Sequence, residues 1–219
     1  MNGHKIEPTD HIKYLGIYLD STLSGKQHCD ILCAKLKRAN GMLSKIRHYL
    51  PKKELKSIYY AIFNSHMISG CQIWGQTQNV HNNKISLLQN RALRIINFKD
   101  FRADANPLYK DTNVLKLQSL VSVNNCLFVH DYLTNSLPTC FDDYYFRLNS
   151  LYLNMQTRNA NLGCLFQPSR KTTKYGLNSI TQKSINTWNY ISQNANKDLL
   201  SLSRYSLNKF LTEFFLNQY

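Results

Sequence analysis

One pair of adjacent acidic side chains has the residue types of a two-metal site. Asp142 and Asp143 follow Cys140-Phe141, and carboxylates that hold two divalent ions about 4 Å apart serve in-line phosphoryl transfer. The pair, however, follows a Leu-Pro turn in a stretch without the alternating pattern of a hairpin. We therefore interpret both residues as part of a solvated loop or a helix cap, and we predict no catalytic residue in this chain.

Two groups of His and Cys side chains have part of the spacing of a metal site. His28, Cys29 and Cys33 form one group, and Cys126 and His130 lie one helical turn apart. Zinc prefers four ligands, usually in two short-spaced pairs, and each group lacks its second pair. We interpret the thiols as buried or half-buried and predict no metal site. Motifs of nucleotide-binding and hydrolytic enzymes, such as GxGxxG, Walker A and GxSxG, are also missing from the sequence.

The strongest chemical signal is positive charge. The formal net charge is +14 in 219 residues, which favours a polyanionic partner, with nucleic acid ahead of a membrane. Lysine and arginine on exposed helix faces bind phosphate without regard to sequence, although an ordinary solvated face explains any one cluster alone. The residues predicted to bind nucleic acid are Lys35, Lys37, Arg38, Lys45, Lys52, Lys53, Arg91, Arg94, Arg158, Arg170 and Lys171.

Composition and cysteine usage indicate the compartment. Six cysteines occur without a CxxC pair, and no apolar block follows the basic start as in a signal peptide. No run is long or apolar enough to span a bilayer. We therefore expect free thiols in a reducing interior, nucleus or cytoplasm, and no membrane partner.

The elements that position these residues are mostly helical. Residues 13–19 are predicted to form a strand, with Gly3–Glu7 as its partner across a Pro8-Thr9-Asp10 turn. Such a hairpin is only marginally stable alone, so it is expected to belong to a larger sheet outside this chain.

Apolar residues at alternating steps of three and four predict the helices that follow. The predicted segments are 27–50, a second helix from Pro51 to Gly70, 82–98, a fourth helix ending near Asn135, one capped by Ser179, and 204–217. The first three are expected to close a bundle, Phe101–Thr112 is interpreted as a connector, and 141–177 as loops or short strands. The predicted domains are 1–24, a hairpin; 25–100, a three-helix bundle; and 101–219, a second helical region.

The order of these pieces resembles a known family. KYLGIYLD, a basic Leu-rich helix, LPKKELKSIYYAIFNSHMISGCQIWG and LLQNRALRII occur in succession, followed by TTKYGLNSI, an Asn-Thr-Trp-Asn run and a Phe-rich last helix. Together they resemble the C-terminal side of reverse transcriptases from LINE-like, non-LTR retrotransposons. The resemblance covers nearly the whole chain, and it depends on the order of the motifs more than on any single one.

The resemblance implies specific roles. Lys13, Tyr14, Leu15 and Gly16 would be primer-grip positions at the edge of the polymerase palm, and the bundle would be the thumb that closes over an RNA–DNA or DNA duplex. The fingers and palm, with the magnesium-binding acids, would precede Met1. Gly25 stands where the family usually has Trp. In the family, an aromatic-x-Asp-Asp hairpin holds the magnesium, and Phe141 is one place too late for that motif.

The sequence thus predicts a mainly helical C-terminal fragment of an RNA-directed DNA polymerase. It would bind template–primer nucleic acid, need no cofactor of its own (magnesium belonging to the full-length relative), and be inactive in polymerisation by itself. Two alternatives remain open: a stand-alone helical protein–protein interaction module, and a truncated product without function.

Overall fold

The computed structural model describes residues 9–76, 79–141, 146–149, 163–166, 173–195 and 197–219. These residues are mainly helical, with a two-stranded antiparallel hairpin near the N-terminus, so the predicted fold class is confirmed. The chain divides into two compact units: unit 1 is 1–70 with 77–105, and unit 2 is 71–76 with 106–219. The domain division at 24 and 100 stays a prediction, because compactness does not show which part folds alone.

The elements follow in chain order. Unit 1 contains β1 (His11–Tyr14), β2 (Ile17–Asp20), α1 (Lys26–Ile46), α2 (Lys52–Ile58), a π-helical segment (Tyr59–Asn64) and α3 (Ser65–Ile68). Next comes α4 (Cys71–Trp74), which belongs to unit 2, and then α5 (Asn79–Ile96) of unit 1. Unit 2 continues with α6 (Asn106–Thr112), α7 (Leu117–Leu133), a 3₁₀ turn (Thr139–Phe141), α8 (Lys174–Leu177), α9 (Ile180–Ala195) and α10 (Arg204–Leu216).

The hairpin forms, but its turn is not where the sequence predicted it. His11 pairs with Asp20 and Tyr14 with Ile17, so Leu15 and Gly16 form a two-residue loop. Both have positive φ, 46° and 86°, as in the turns whose twist matches that of the two strands. The prediction of one strand over 13–19 is therefore wrong. The turn could not be predicted from residue types, because a leucine in a left-handed conformation is uncommon. The predicted partner Gly3–Glu7 lies outside the described residues.

A π-helical segment keeps one line of large side chains directed at the core of unit 1. Leu55, Tyr59, Phe63 and Met67 are fully buried at steps of four. In a regular α-helix, steps of four drift by about 40° each. The wider turn of Tyr59–Asn64 offsets that drift. Ile58 and Ile62 of the same stretch, although apolar, are only partly buried.

The core of unit 2 surrounds α7, which packs against α9 and α10. Trp188 of α9 is fully buried and its indole N–H donates to the Gly163 carbonyl at 2.9 Å. The connector prediction for Phe101–Thr112 is wrong in its second half, because α6 occupies Asn106–Thr112 and buries Leu108 and Tyr109. In the described part of 141–177, which was predicted to form loops or short strands, Leu148 and Leu165 form an isolated antiparallel bridge. None of the described helices is both long enough and apolar enough to cross a bilayer.

Candidate nucleic-acid interface

The solvent side of α1 carries a compact group of cations. α1 buries Leu32, Leu36 and Leu43 against the rest of unit 1, so residues halfway round the helix face water. Arg38 and Lys45 are exposed and two turns apart, roughly 10 Å along the axis at 1.5 Å per residue. Their side chains therefore lie on one line opposite the core.

Gly41 lies at the centre of this group. Steps of three and four residues return to the same face of an α-helix, so its neighbours on that face are Lys37, Arg38, Ser44 and Lys45. Gly41 is exposed, and a Cβ added to it would meet nothing within 4 Å. A glycine in a helix interior costs about 0.5–1 kcal/mol relative to alanine. Packing does not explain Gly41. The missing side chain leaves the helix backbone between the cations open to the close approach of a ligand. We call Lys37, Arg38, Gly41 and Lys45 the α1 cradle.

An ion pair borders the cradle on the side of α5. Lys84 of α5 lies 3.3 Å from a carboxylate oxygen of Asp30, and both are half exposed. Burial and the charge of Asp30 raise the pKa of Cys33, while the charges of Lys37 and Lys84 partly oppose that rise, so Lys37 lies near this ion pair. Lys84 balances Asp30, so the single acidic side chain of α1 does not cancel the cations of the cradle.

Lys35 lies apart from the cradle, beside His28. Burial lowers the pKa of His28, and the positive charge of Lys35 lowers it further. His28 is a structural contact: its Nδ1 accepts the backbone N–H of Tyr18 at 3.4 Å, which joins β2 to α1. Lys35 and Lys37 are near in sequence and were predicted to act together. Residues two positions apart in a helix, however, point in different directions.

The other predicted cations of unit 1 fall into two kinds. Lys52 and Lys53 are exposed in the first turn of α2, where positive charge is unfavourable to the helix dipole, so helix stability does not explain them. Arg91 is exposed on α5. Arg94 is half-buried and its Nε donates to the Ala103 carbonyl at 2.6 Å, which fixes the loop after α5. This structural contact accounts for Arg94 without the predicted role in binding nucleic acid.

The four residues predicted as primer-grip positions lie at the tip of the hairpin. Lys13, Tyr14, Leu15 and Gly16 are all exposed, and the ammonium group of Lys13 lies 5.6 Å from the ring centre of Tyr18 on the paired strand. The tip thus offers one cation and two apolar side chains to a ligand. Their role in holding a primer stays a prediction.

The remaining predictions concern metal sites and the irregular region. Arg158, Arg170, Lys171, Asp142 and Asp143 lie outside the described residues. In the described ranges, no three His, Cys, Asp or Glu side chains come together as a metal site would need. The predicted ligand candidates have other contacts: the second histidine, His130, has its Nε2 2.9 Å from the Leu202 carbonyl. Burial raises the pKa of the Cys126 thiol and that of Cys71 to about 11, which disfavours the thiolate that binds zinc.

Two carboxylates of the described residues are engaged in contacts within the chain. Asp20 accepts hydrogen bonds from the Ser24 backbone N–H at 2.7 Å and the Thr22 hydroxyl at 2.9 Å. Asp131 takes the Arg204 guanidinium at 2.8 Å. Each of these acids stabilises a turn or joins two helices, and none lies beside another in a metal-binding group.

Gly41 is not among the residues predicted to bind nucleic acid, although the sequence contains a signal for it. A lone glycine inside a strong helical pattern usually has a role in packing or in function. Its position three and four residues from four polar or charged neighbours could have been read from the sequence.

The chain is similar to two curated transposon proteins of Drosophila melanogaster. Over 128 residues, 56% of this chain, it is 27% identical to the probable RNA-directed DNA polymerase from transposon BS. Over 103 residues, 45% of this chain, it is 33% identical to the probable RNA-directed DNA polymerase from transposon X-element. These matches span only 14% and 11% of the two relatives. No protein-family model matches the chain, and no solved structure matches it either. Over about half of its length, the chain is thus a distant relative of transposon RNA-directed DNA polymerases.

Proposed function

We propose that this chain is the thumb-like part, with the primer-grip hairpin and a C-terminal helical region, of a non-LTR retrotransposon RNA-directed DNA polymerase. Its basic helix faces hold the template–primer duplex, RNA–DNA or DNA, by contacts to the phosphates. The fingers and palm, which carry the magnesium-dependent chemistry in this proposal, lie outside these 219 residues.

The α1 cradle is the observation that carries the proposal. Cations on an exposed helix face supply the sequence-independent part of duplex affinity. A glycine between them lets a sugar–phosphate strand approach the helix backbone, where a larger side chain would hold it away. The two named relatives are RNA-directed DNA polymerases, and a template–primer duplex is the polyanion that such an enzyme must hold.

Charge reversal in the cradle tests the proposal. In the full 219-residue chain, R38E/K45E is expected to lower affinity for a blunt RNA–DNA duplex at least about tenfold at 100 mM salt, because it removes two cations that neutralise phosphates and adds repulsion. Fluorescence anisotropy of a labelled duplex measures the affinity. The slope of log affinity against log salt should become shallower by about 1.8, at roughly 0.9 for each phosphate that is no longer neutralised.

K110E/K209E is the matched control. Lys110 and Lys209 are exposed on α6 and α10 of unit 2, and the double substitution changes net charge by the same amount. Duplex affinity in this variant should stay within about threefold of wild type. Equal losses in both variants would contradict the cradle and indicate a merely basic surface. No loss in either would favour the protein–protein interaction module instead.

A further inference from the structure

Three aromatic side chains are exposed where α1 and α5 end. The two helices run parallel, since Asp30 contacts Lys84 near their starts and Arg47 contacts Phe98 just beyond their ends. The segments 47–49 and 98–102 therefore lie next to each other. Tyr49 is 85% exposed, Phe101 74% and Phe98 48%. Aromatic side chains are normally buried for their large apolar area, so their exposure here needs a reason.

Phe98 occupies a backbone position that suits glycine. The Lys99 N–H bonds the Arg94 carbonyl at 2.9 Å, and the Phe98 N–H bonds the Ile95 carbonyl at 3.2 Å. This pair of bonds is the Schellman motif, in which the residue after the helix adopts a left-handed conformation and is usually glycine. Phe98 has φ 56° there, a conformation that is strained for any residue with a side chain. With half of the side chain in water, burial only partly offsets that strain.

Arg47 orients the Phe98 ring. Its guanidinium carbon lies 5.4 Å from the ring centre, within the range of a cation–π contact. The Nε of Arg47 is buried and has no hydrogen-bond partner among the described residues. The guanidinium thus supports the ring on one side and leaves the rest of it accessible.

Positive charge surrounds the three rings. Lys45, Arg47, Lys99 and Arg102 lie in or next to the two segments, against two acids, Asp100 and Asp104. Compensation of the helix dipole explains Lys45 in the last turn of α1. The same explanation covers Lys99, just past the end of α5, but not Arg102, which lies further from the helix and is exposed. Exposed aromatics among cations are the composition of a surface that binds single strands, with bases on the rings and phosphates on the cations.

We propose that Tyr49, Phe98 and Phe101 form a stacking site for unpaired bases of single-stranded nucleic acid, with Arg47, Lys99 and Arg102 as its phosphate contacts. The choice of nucleic acid rests on the proposed function. In that setting the site would hold an unpaired strand that continues beyond the duplex, whereas the α1 cradle holds the duplex itself.

A pair of oligonucleotides with equal charge isolates the stacking. The probes are a fluorescein-labelled twelve-nucleotide thymidine strand and an abasic strand of the same length, which has the same phosphates without bases. The wild-type chain should prefer the thymidine strand by about fivefold or more, as expected for one stacked base. F98G should reduce this preference to below about twofold. Because glycine relieves the left-handed strain, the melting temperature should not fall.

Two further variants distinguish a loss of stacking from a loss of folding. F98W should keep the preference, since any large ring can stack, and its indole emission should be quenched by the thymidine strand. F101S should weaken the preference without a loss of melting temperature, because Phe101 is exposed. A preference that survives both F98G and F101S would overturn the proposal. So would equal binding of thymidine and abasic strands by the wild-type chain, or equally good competition by poly-glutamate, which would mark a site for an acidic protein.

The test separates this site from the proposed function. R38E/K45E should weaken duplex binding and leave the ratio of thymidine to abasic affinity unchanged. F98G should do the reverse. Absence of the cradle effect with a retained ratio would remove the proposed function alone, and absence of the ratio with a retained cradle effect would remove the stacking site alone.

Discussion

At the scale of single residues, the space around a glycine shows whether the fold requires it. A fold-required glycine leaves no room for a Cβ. Gly41 and Gly75 both lie in helical surroundings, yet a Cβ has open space at the first and a collision at the second. The first glycine is therefore open to a ligand, and the second is required by the fold. Substitution by alanine should affect the two positions with opposite signs.

Gly41→Ala should stabilise the chain and weaken duplex binding. Alanine raises helix propensity by about 0.5–1 kcal/mol, while its methyl group keeps a phosphate strand from the backbone of α1. Chemical denaturation and duplex anisotropy measure the two effects. Asn83→Ala is the control, since Asn83 is an exposed helix residue of α5 outside the cradle, and it should change stability without changing affinity. Unchanged affinity in Gly41→Ala would show that no strand approaches there.

At the scale of elements, one contact between the hairpin and α1 involves a titratable side chain. The His28 ring accepts the Tyr18 N–H and lies beside the Tyr18 ring, with centres 6.5 Å apart. Protonation of Nδ1 would remove that acceptor and place a second positive charge near Lys35. Burial and Lys35 both lower the pKa of His28, so this contact depends on the neutral imidazole.

The stability of unit 1 should therefore fall on mild acidification. The unfolded His28 has a pKa near 6.5 and the folded one a lower pKa, so the contribution is fully present above about pH 6.5. It disappears as the pH falls from there through the folded pKa. Melting temperatures between pH 7.5 and 5 should show this decrease.

His28→Gln retains an acceptor but does not titrate, so its melting temperature should vary less over that range. Lys35→Gln should also reduce the pH dependence, because it removes the second cause of the lowered pKa. An identical pH profile in wild type and His28→Gln would mean that His28 is not the titrating group.

At the scale of the whole molecule, charge and connectivity are unevenly distributed. Unit 1 contains 16 Lys and Arg against 7 Asp and Glu, while the longer unit 2 contains 11 against 6. The surplus is therefore denser in the unit that carries the cradle and the proposed stacking site. Unit 2 is discontinuous: α4 packs on α7, and the Gln72 side chain donates to the Asn124 carbonyl at 2.7 Å.

Gly75→Ala should destabilise unit 2 by roughly 1–3 kcal/mol, as overpacking does. The new Cβ would collide with the Cys71 carbonyl oxygen and would lie 2.6 Å from a methyl group of Val121. Denaturant titration followed by tryptophan fluorescence measures the change, since Trp74 and Trp188 both lie in unit 2. Gly75→Ala with wild-type stability would contradict the importance of residues 71–76 to the core of unit 2.

The sequence determined those features that depend on local periodicity. The long helices appear close to their predicted bounds, with Ile180–Ala195 capped by Ser179 as predicted, and Arg204–Leu216 starting at the predicted residue. The charge surplus and the buried state of Trp74 and Trp188 also follow from residue types alone, because hydrophobic burial and net charge need no knowledge of distant contacts.

Only the tertiary structure decided the contacts between segments far apart in the sequence. It joined β2 to α1 through Tyr18 and His28, and it directed the Leu55–Met67 line at the core through a π-helical turn. It also brought Arg47 to Phe98. The physical reason is that a helical pattern fixes which side of a helix is buried, whereas the neighbour it is buried against depends on the packing of the whole unit.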